Sequence, residues 1–171
     1  MTILPLIIAP DPIYSKKSTD ILVIDEEIRK LASDMIDTVY FQHGIGMAAT
    51  QIGVLKRIIV VDINYNKNDP TTRNPIIMIN PEILEFSTET YEFTEGSISF
   101  PEAYVKTSRP RKIKVKYTDL EKREHIIQAE DLFSVCIQHE IDYTLGKTYL
   151  DLASPLKKRI ILEKLLKRKV K

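Results

Sequence analysis

The segment QHEIDYTLG, residues 138–146, carries the side chains best suited to chemistry in this chain. His139 and Tyr143 stand at positions i and i+4, a spacing that directs two side chains of one helix toward a single point. In helical zinc sites of the H-E-x-x-H type, histidines occupy both positions and the Glu after the first histidine acts as general base. Glu140 stands where that Glu would be, but Tyr143 replaces the second histidine. A lone histidine on a helix is more often structural than a metal ligand, so this segment alone does not establish a metal site.

Two helices are predicted from apolar periodicity, and the second of them carries this segment. The first follows a capping residue, Asp25, and ends near Gly44. Its apolar stripe consists of Ile28, Leu31, Ala32, Met35, Ile36, Val39 and Tyr40. The second helix runs from about Asp131 to Leu145 and ends at Gly146. One face of it is formed by Leu132, Val135, Cys136 and His139.

A third helix is predicted at the basic end of the chain. Pro155 follows the capping residue Ser154, and proline is favourable at the first helical position because its missing N–H would be unpaired there. Residues 154–171 contain eight Lys or Arg and one Glu, whereas the rest of the chain carries 17 basic and 23 acidic residues. The predicted apolar side has Ile161, Leu162, Leu165 and Leu166, and the basic side has Lys157, Lys164, Lys167, Arg168 and Lys171. We expect no DNA binding by the acidic body, although the basic helix could approach an anionic partner.

Between the first two helices, the pattern is typical of β-strands. The predicted strands are Arg57–Ile63, Ile76–Ile79, Glu82–Phe86, Tyr91–Thr94, Lys112–Thr118 and Glu124–Ala129. A block of strands with helices at either side predicts an α+β fold, with antiparallel sheets packed around the motif-bearing helix and with an N-terminal and a C-terminal helix. No linker divides the chain, so residues 1–171 are predicted to form one domain that ends in the basic helix 154–171.

The composition excludes several classes of protein. With 171 residues and 43% hydrophobic side chains, the chain is expected to fold around a core. No apolar run approaches the roughly 20 residues that cross a bilayer, and the short apolar start lacks the basic region of a signal peptide. The single Cys136 excludes an internal disulfide and favours a reducing compartment. We therefore expect a cytoplasmic protein without membrane contact.

Three segments together resemble the signature motifs of the peptide deformylase family. GIGMAATQIG (44–53), EGSISFPE (95–102) and QHEIDY (138–143) are similar, in order and spacing, to GxGxAAxQ, EGCLS and HExDH. The segments RIIVVDI (57–63), INPEIL (79–84) and GKTYLDLASPLKKR (146–159) also resemble that family, in its bacterial branch with a C-terminal helix. The resemblance covers nearly the whole chain and implies the peptide deformylase fold.

The resemblance implies roles for particular residues. Deformylases bind a divalent metal, usually iron, through the cysteine of EGCLS and both histidines of HExDH, so the implied ligand positions are Ser97, His139 and Tyr143. Glu140 is implied to be the acid/base, and the oxyanion hole is implied to consist of Gln51 and the Ile98 N–H. The residues implied to shape the substrate cleft are Gly44, Ile45, Gly46, Phe93, Glu95, Leu132, Val135 and Cys136, with Glu95 supporting the turn of the second motif.

Two of the three implied metal ligands are altered in this chain. Ser97 offers a neutral hydroxyl where the family has a thiolate. Tyr143 could ligate only as a phenolate, but its reference pKa is about 10 and the proton must leave first. We therefore expect no bound metal, or at most one weakly held divalent ion such as Fe, Ni, Zn or Co. Without a metal, His139 is expected to pair with Tyr143, Ser97 or Glu140.

Three hypotheses about function stay open. The first is a catalytically impaired or inactive deformylase-like protein that still binds N-formylmethionyl peptides or nascent chains, and that docks on ribosomes through its basic C-terminal helix. The second is an active metal-dependent deformylase or amidase with non-standard ligation by His139, Cys136 or Tyr143 together with water. The third is a structural or interaction protein with a vestigial cleft. Metal analysis separates the second from the others, and peptide binding separates the first from the third.

Overall fold

A computed structural model of the chain describes residues 2–169, with side chains described through residue 168. Lys171, which the sequence placed on the basic side of the third helix, lies outside these residues. The helices are α1 Glu26–Phe41, α2 Asp131–Thr144 and α3 Pro155–Lys169. The strands are β1 Gly46–Ala48, β2 Ile58–Val61, β3 Ile76–Phe86, β4 Thr90–Ser97, β5 Phe100–Pro110, β6 Lys112–Thr118 and β7 Glu124–Glu130. Short 3-10 turns are Pro12–Ser15, Ala49–Ile52, Pro70–Thr72 and Tyr149–Leu152.

The strands form two antiparallel sheets. One sheet has five strands in the order β1-β2-β3-β6-β7, and the other consists of β4 and β5. Every strand pair is antiparallel, and α2 contacts strands of both sheets. The predicted α+β fold with antiparallel sheets around the motif-bearing helix is therefore confirmed.

Helix α1 begins where the sequence predicted. The Asp25 carboxylate accepts a hydrogen bond from the Ile28 N–H at 3.0 Å, so the predicted cap is confirmed. The predicted stripe packs against β2, and its buried members are Ile28, Ala32, Met35, Val39 and Tyr40. The helix ends at Phe41, before Gly44, and the residue that turns the chain in the left-handed region is His43, with a φ of 55°.

Helix α2 is the element around which the cleft is built. All residues from 134 to 141 are buried, because the helix lies between the two sheets and has no solvent-facing side there. Gly146 ends it with a φ of 72°, and a Cβ at that position would lie 2.9 Å from the Ser15 carbonyl oxygen. Gly146 therefore meets two demands that other residue types do not, a left-handed backbone and a close approach to another segment.

Helix α3 differs from its predicted amphipathic pattern. The predicted cap is present, since the Ser154 hydroxyl oxygen accepts from the Lys157 N–H at 3.3 Å. Leu165 is buried and Ile161 is half-buried, but Leu166 is 51% exposed although the sequence placed it on the apolar side. Leu166 is exposed because other elements cover little of the helix. Strand β5 and the turn Tyr149–Leu152 are its main neighbours. No helix among residues 2–169 has the length and apolarity to span a bilayer.

Strand β5 is the largest element that the sequence analysis did not predict. Its buried side chains alternate with exposed ones and are Phe100, Ala103, Val105, Thr107 and Arg109. Thr107 and Arg109 are polar, so the inward face does not show the alternating hydrophobicity by which a strand is usually recognised. The segments predicted as two strands, Ile76–Ile79 and Glu82–Phe86, are one strand, β3, with register shifts between residues 79 and 85.

The buried face of β5 carries an ion-pair network that ties three elements together. Arg109 donates from Nε to Glu95 Oε1 at 2.7 Å and from a terminal nitrogen to Glu95 Oε2 at 3.0 Å, which joins β5 to β4. Its other terminal nitrogen donates to Asp142 on α2 at 2.8 Å. The side chains of Glu95 and Arg109 are only 2% and 6% exposed. These bonds hold β4, β5 and α2 in a fixed relation, and the walls of a cleft are formed by β4 and α2.

We expect Arg109→Ala to destabilise the fold strongly. The substitution leaves the buried Glu95 carboxylate without its guanidinium partner, a loss that typically costs about 3–5 kcal/mol. Urea denaturation at neutral pH measures it. The matched control is Lys106→Ala on the same strand, which removes a 2.7 Å ion pair to Glu92 whose side chains are 67% and 65% exposed. That exposed pair contributes at most about 1 kcal/mol.

Equal effects of the two substitutions would contradict the importance of the buried network.

The difference in the free energy of unfolding between the wild type and Arg109→Ala is also expected to depend on pH. Burial alone would raise the pKa of Glu95, but hydrogen bonds from His139 and Arg109 outweigh it and lower the pKa to about 2. A lowered pKa in the folded state stabilises above the unfolded value of 4.5, and this contribution is lost as the pH falls toward 2.

Candidate functional site

A cleft with a cavity of about 400 Å³ lies between α2, β4 and the chain around β1. Thirteen of the fourteen residues predicted for the site line it: Gly44, Ile45, Gly46, Gln51, Phe93, Glu95, Ser97, Ile98, Leu132, Val135, Cys136, His139 and Glu140. The exception is Tyr143, which is fully buried behind the wall. His43, Gly96, Pro101, Glu102 and Tyr104 also line the cavity, and the sequence analysis assigned none of them to the cleft.

Gly46 allows β1 to approach α2 closely. A Cβ at this position would lie 2.6 Å from Glu140 Oε1 and 2.9 Å from Cys136 Sγ, which is too close for either atom. Side chains of α2 therefore fill the space that a larger residue on β1 would need. The two motifs meet here, since Gly46 belongs to GIGMAATQ and Glu140 to QHEIDY.

Gln51 is held in one orientation by the 3-10 turn Ala49–Ile52. Its side-chain carbonyl oxygen accepts from the Ala48 N–H at 2.9 Å, which leaves the amide nitrogen as a donor toward the second motif. That nitrogen donates to the hydroxyl oxygens of Ser97 at 3.3 Å and Ser99 at 3.2 Å. The predicted oxyanion donor thus lies in the cleft with its N–H groups already directed at two serines.

Ser97 and Tyr143 bond to each other. The Tyr143 hydroxyl donates to Ser97 Oγ at 2.8 Å. The Tyr143 ring packs among aromatic side chains, with centroid distances of 5.5 Å to Tyr14 and 6.3 Å to Phe100. Burial raises the pKa of Tyr143 well above its usual value. The side chain is a neutral phenol in the core.

His139 bonds to Glu95, so the expectation that it pairs with Tyr143, Ser97 or Glu140 is wrong. The distance from His139 Nδ1 to Glu95 Oε2 is 2.7 Å. Because the lowered pKa keeps Glu95 ionised and accepting, Nδ1 is the donor, and in the neutral ring Nε2 is then the unprotonated nitrogen. The ring meets Tyr143 edge-on at 5.2 Å and stacks on Tyr149 at 5.3 Å. The sequence analysis missed Arg109, the residue that holds Glu95, because no motif contains it.

Glu140 and Cys136 are the other reactive groups of the cleft. Glu140 is buried, and its Oε2 has no hydrogen-bond partner within the described part of the chain. Burial raises the pKa of this carboxyl group to about 7. The Cys136 thiol lies 3.6 Å from the Ile45 carbonyl oxygen, and burial raises its pKa as well, so it is a thiol and not a thiolate.

The donor atoms at the three implied ligand positions differ from those that usually hold a catalytic divalent metal. His139 supplies an imidazole nitrogen, but Ser97 supplies a neutral hydroxyl and Tyr143 a phenol with a strongly raised pKa. Metal binding needs deprotonated or lone-pair donors that converge on one point, and thiolates and imidazoles are the usual ones. No group of three His, Cys, Asp or Glu that could hold a metal ion exists among residues 2–168.

Comparison with known proteins identifies the family. Residues 3–159 match the family described as polypeptide deformylase. The peptide deformylase of Rhizobium meliloti (strain 1021) is 41% identical over 167 residues, which cover 98% of this chain and 94% of that protein. The crystal structure of a peptide deformylase from Legionella pneumophila has a TM-score of 0.88 at 38% identity, with coverage of 98% and 96%.

A second solved structure gives the same result. The peptide deformylase from Ehrlichia chaffeensis, in complex with actinonin, has a TM-score of 0.89 at 35% identity and covers 98% of both chains. The similarity therefore extends over the fold and not only over the three motifs. This chain belongs to the peptide deformylase family.

Proposed function

We propose that this protein binds N-formylmethionyl N-termini of peptides or nascent chains in its cleft and is impaired or inactive as a deformylase. The observation that carries the proposal is the hydrogen bond of 2.8 Å from Tyr143 to Ser97. It joins the two substituted ligand positions to each other, so both oxygens are engaged within the protein. Relatives named peptide deformylase support the substrate class, because this chain has the same fold and nearly the same length.

The proposed loss of hydrolysis follows from the protonation states of the donors. A metal lowers the pKa of bound water from 15.7 to about 7, and this supplies the nucleophile of such hydrolases. To hold a metal, Tyr143 would have to lose a proton in a fully buried position where burial raises its pKa further. Glu140 and Gln51 stay in the cleft, but acid/base and oxyanion groups each contribute only about 10²–10⁴ to a rate enhancement that usually exceeds 10⁶.

The cleft itself supports ligand binding. Its volume of about 400 Å³ lies within the range of small-ligand sites, which is roughly 300–1,000 Å³. Phe93, Leu132 and Val135 give it an apolar wall of the kind that accepts a methionine side chain. Glu140 adds a polar side chain to the lining of the cleft. A cleft that were only vestigial would be expected to fill with side chains.

The alternative of an active enzyme with non-standard ligation is less well supported. Cys136 was the candidate replacement ligand, but its buried thiol has a raised pKa and faces the Ile45 carbonyl oxygen. His139 Nε2 stays available as a ligand atom because Nδ1 donates to Glu95, but one imidazole supplies only one of the three protein donors of such a site. Three expectations stay predictions. They are docking on ribosomes through α3, a single domain over residues 1–171 and a cytoplasmic location.

We expect the purified protein to bind less than one metal per chain after incubation with Fe²⁺ or Ni²⁺ under anaerobic conditions. The double substitution Ser97→Cys and Tyr143→His is expected to bind one metal per chain, because it restores a thiolate and an imidazole. Its affinity should exceed that of the wild type by at least about 10²-fold, since losing even a residue that supports a ligand costs about 10–100-fold. Metal content by elemental analysis and affinity by competition with a chelator measure this.

Each single substitution is the matched control and is expected to bind metal less tightly than the double. Wild-type protein that holds one metal per chain and cleaves formyl-Met-Ala-Ser at ordinary enzymatic rates would refute the proposed inactivity. Formate release by the metal-loaded double variant would further indicate that Glu140 and Gln51 are still placed for chemistry.

We expect formyl-Met-Ala-Ser to bind to the wild-type protein and formyl-Gly-Ala-Ser to bind at least about tenfold more weakly. The difference is the burial of the methionine side chain, which contributes about 1.5–3 kcal/mol. Leu132→Trp should abolish the preference, because the larger ring occupies the apolar part of the cavity. Isothermal titration calorimetry measures both peptides.

Leu145→Trp is the control for that substitution, since Leu145 is exposed just after α2 and does not line the cavity. It should leave the affinity of both peptides unchanged. Equal binding of the two peptides by the wild type, or no binding of either, would favour a vestigial cleft over the proposed binding function.

A further inference from the structure

A second cavity, of about 360 Å³, lies beside the cleft. It runs between residues 101–104 of β5 and the face of α3 that carries Lys157, Ile161, Lys164 and Arg168, and we call it the helix groove. The proposed binding in the cleft assigns no role to the helix groove. Leu165 forms part of its floor, and the exposed Ile160 lies at its edge.

The helix groove adjoins the cleft. Pro101, Glu102 and Tyr104 line both cavities, so they form the divide between the two. Tyr104 is 63% exposed, which is high for an aromatic residue at the mouth of a cavity. An extended chain that leaves the cleft would reach the groove by crossing this divide beside Tyr104.

The chemistry of the groove combines an apolar floor with cations. Arg168 is paired with Glu102 across the groove. Lys157 and Lys164 also line it, and within residues 2–168 neither forms an ion pair with a carboxylate. Their neighbours on α3 differ, since Lys158 pairs with Asp151 and Arg159 with Glu163. Lys157 and Lys164 therefore lie beside the apolar floor without a close ion pair among the described residues. The pKa of the Glu102 carboxyl group is lowered by Arg168 and also by Lys164, which is near enough to contribute.

We propose that the helix groove binds the downstream residues of the peptide whose first residue occupies the cleft, and that it selects apolar and acidic side chains there. This inference rests on the proposed function, since it extends the same ligand. From residue 157 to residue 168 the helix rises about 16 Å, which an extended chain covers with about five residues. Leucine-like side chains match the floor, and carboxylates match Lys157 and Lys164.

A nucleic acid fits the groove less well than a peptide. The apolar floor of the groove offers no partner for phosphates, and Glu102 places a carboxylate within the lining. A peptide presents alternate side chains to such a surface, so that one set contacts the floor and acidic residues reach the lysines. The charge of the groove and its position next to the cleft both favour this occupant.

Three formylated peptides test the inference by isothermal titration calorimetry. They are formyl-Met-Ala-Ser, the same tripeptide extended by Leu-Glu-Glu-Leu-Glu, and the same tripeptide extended by Leu-Lys-Lys-Leu-Lys. We expect the acidic extension to tighten binding by about tenfold, the combined effect of two exposed ion pairs and one apolar contact. The basic extension should give no gain over the tripeptide.

Lys157→Glu combined with Lys164→Glu should remove the gain from the acidic extension and leave the affinity for the tripeptide unchanged. Lys167→Glu is the matched control, because Lys167 is exposed on the same helix and does not line the groove. Exposed lysines on a helix surface tolerate such changes, so circular dichroism should show the same fold for all variants.

The outcomes separate this inference from the proposed function. If the tripeptide binds and the acidic extension adds nothing, the groove inference fails and the proposed function stands. If no formyl-methionyl peptide binds at all, the proposed function fails. Equal binding of the acidic peptide with an acetyl-Ala start would show that groove and cleft are separate, and would overturn the inference. A dimer that Lys157→Glu with Lys164→Glu dissociates would also overturn it, because a second copy would then occupy the groove.

Discussion

The buried carboxylate of Glu95 is the interaction on which the cleft depends. It accepts two hydrogen bonds from Arg109, one from Thr107 and one from His139, so three elements converge on one negative charge. A carboxylate this deeply buried persists as an anion only because every oxygen is satisfied and a guanidinium lies beside it. The network sets the distance between β4 and α2, and it also fixes the orientation of the His139 ring. It stabilises the same arrangement whether or not the cleft performs hydrolysis.

The two substituted positions have joined the core on the other side of His139. Tyr143 packs with Tyr14, Phe100 and the His139 ring, and its hydroxyl is satisfied by Ser97. A buried tyrosine needs a hydrogen-bond partner for its hydroxyl, and a serine at position 97 supplies a short oxygen acceptor at the right distance. The pair therefore forms a self-consistent unit in which each residue satisfies the other. Replacing Ser97 alone with a residue that cannot accept a hydrogen bond would leave the Tyr143 hydroxyl without this partner, whereas Ser97 also accepts from Gln51 and from the Ser99 N–H.

Elements with a regular local spacing of apolar residues were predicted from the sequence. Features that depend on contacts between residues far apart in the chain were missed. Helix α1 and the strand Lys112–Thr118 were recognised because their apolar residues recur at regular spacing. Strand β5 was missed because the polar residues Thr107 and Arg109 occupy its inward face, where both donate hydrogen bonds to Glu95. The partner of His139 was predicted wrongly because Glu95 was assigned to the turn of the second motif, and Arg109, which holds its carboxylate, belongs to no motif. The family resemblance predicted thirteen of the residues that line the cleft, whereas Tyr143 lies behind its wall, where its ring packs in the aromatic core.

The basic C-terminal helix shows a further limit of reading charge from sequence. The sequence suggested one solvated basic face, yet within residues 154–168 Lys158 and Arg159 form local ion pairs, whereas Lys157, Lys164 and Arg168 line the helix groove. The functional meaning of such a groove depends on whether the cleft is catalytic. In an enzyme, contacts that bind substrate and transition state equally lower KM without raising kcat. In a protein that binds its ligand without converting it, the same contacts contribute fully to affinity, because no transition state has to be favoured over the ground state.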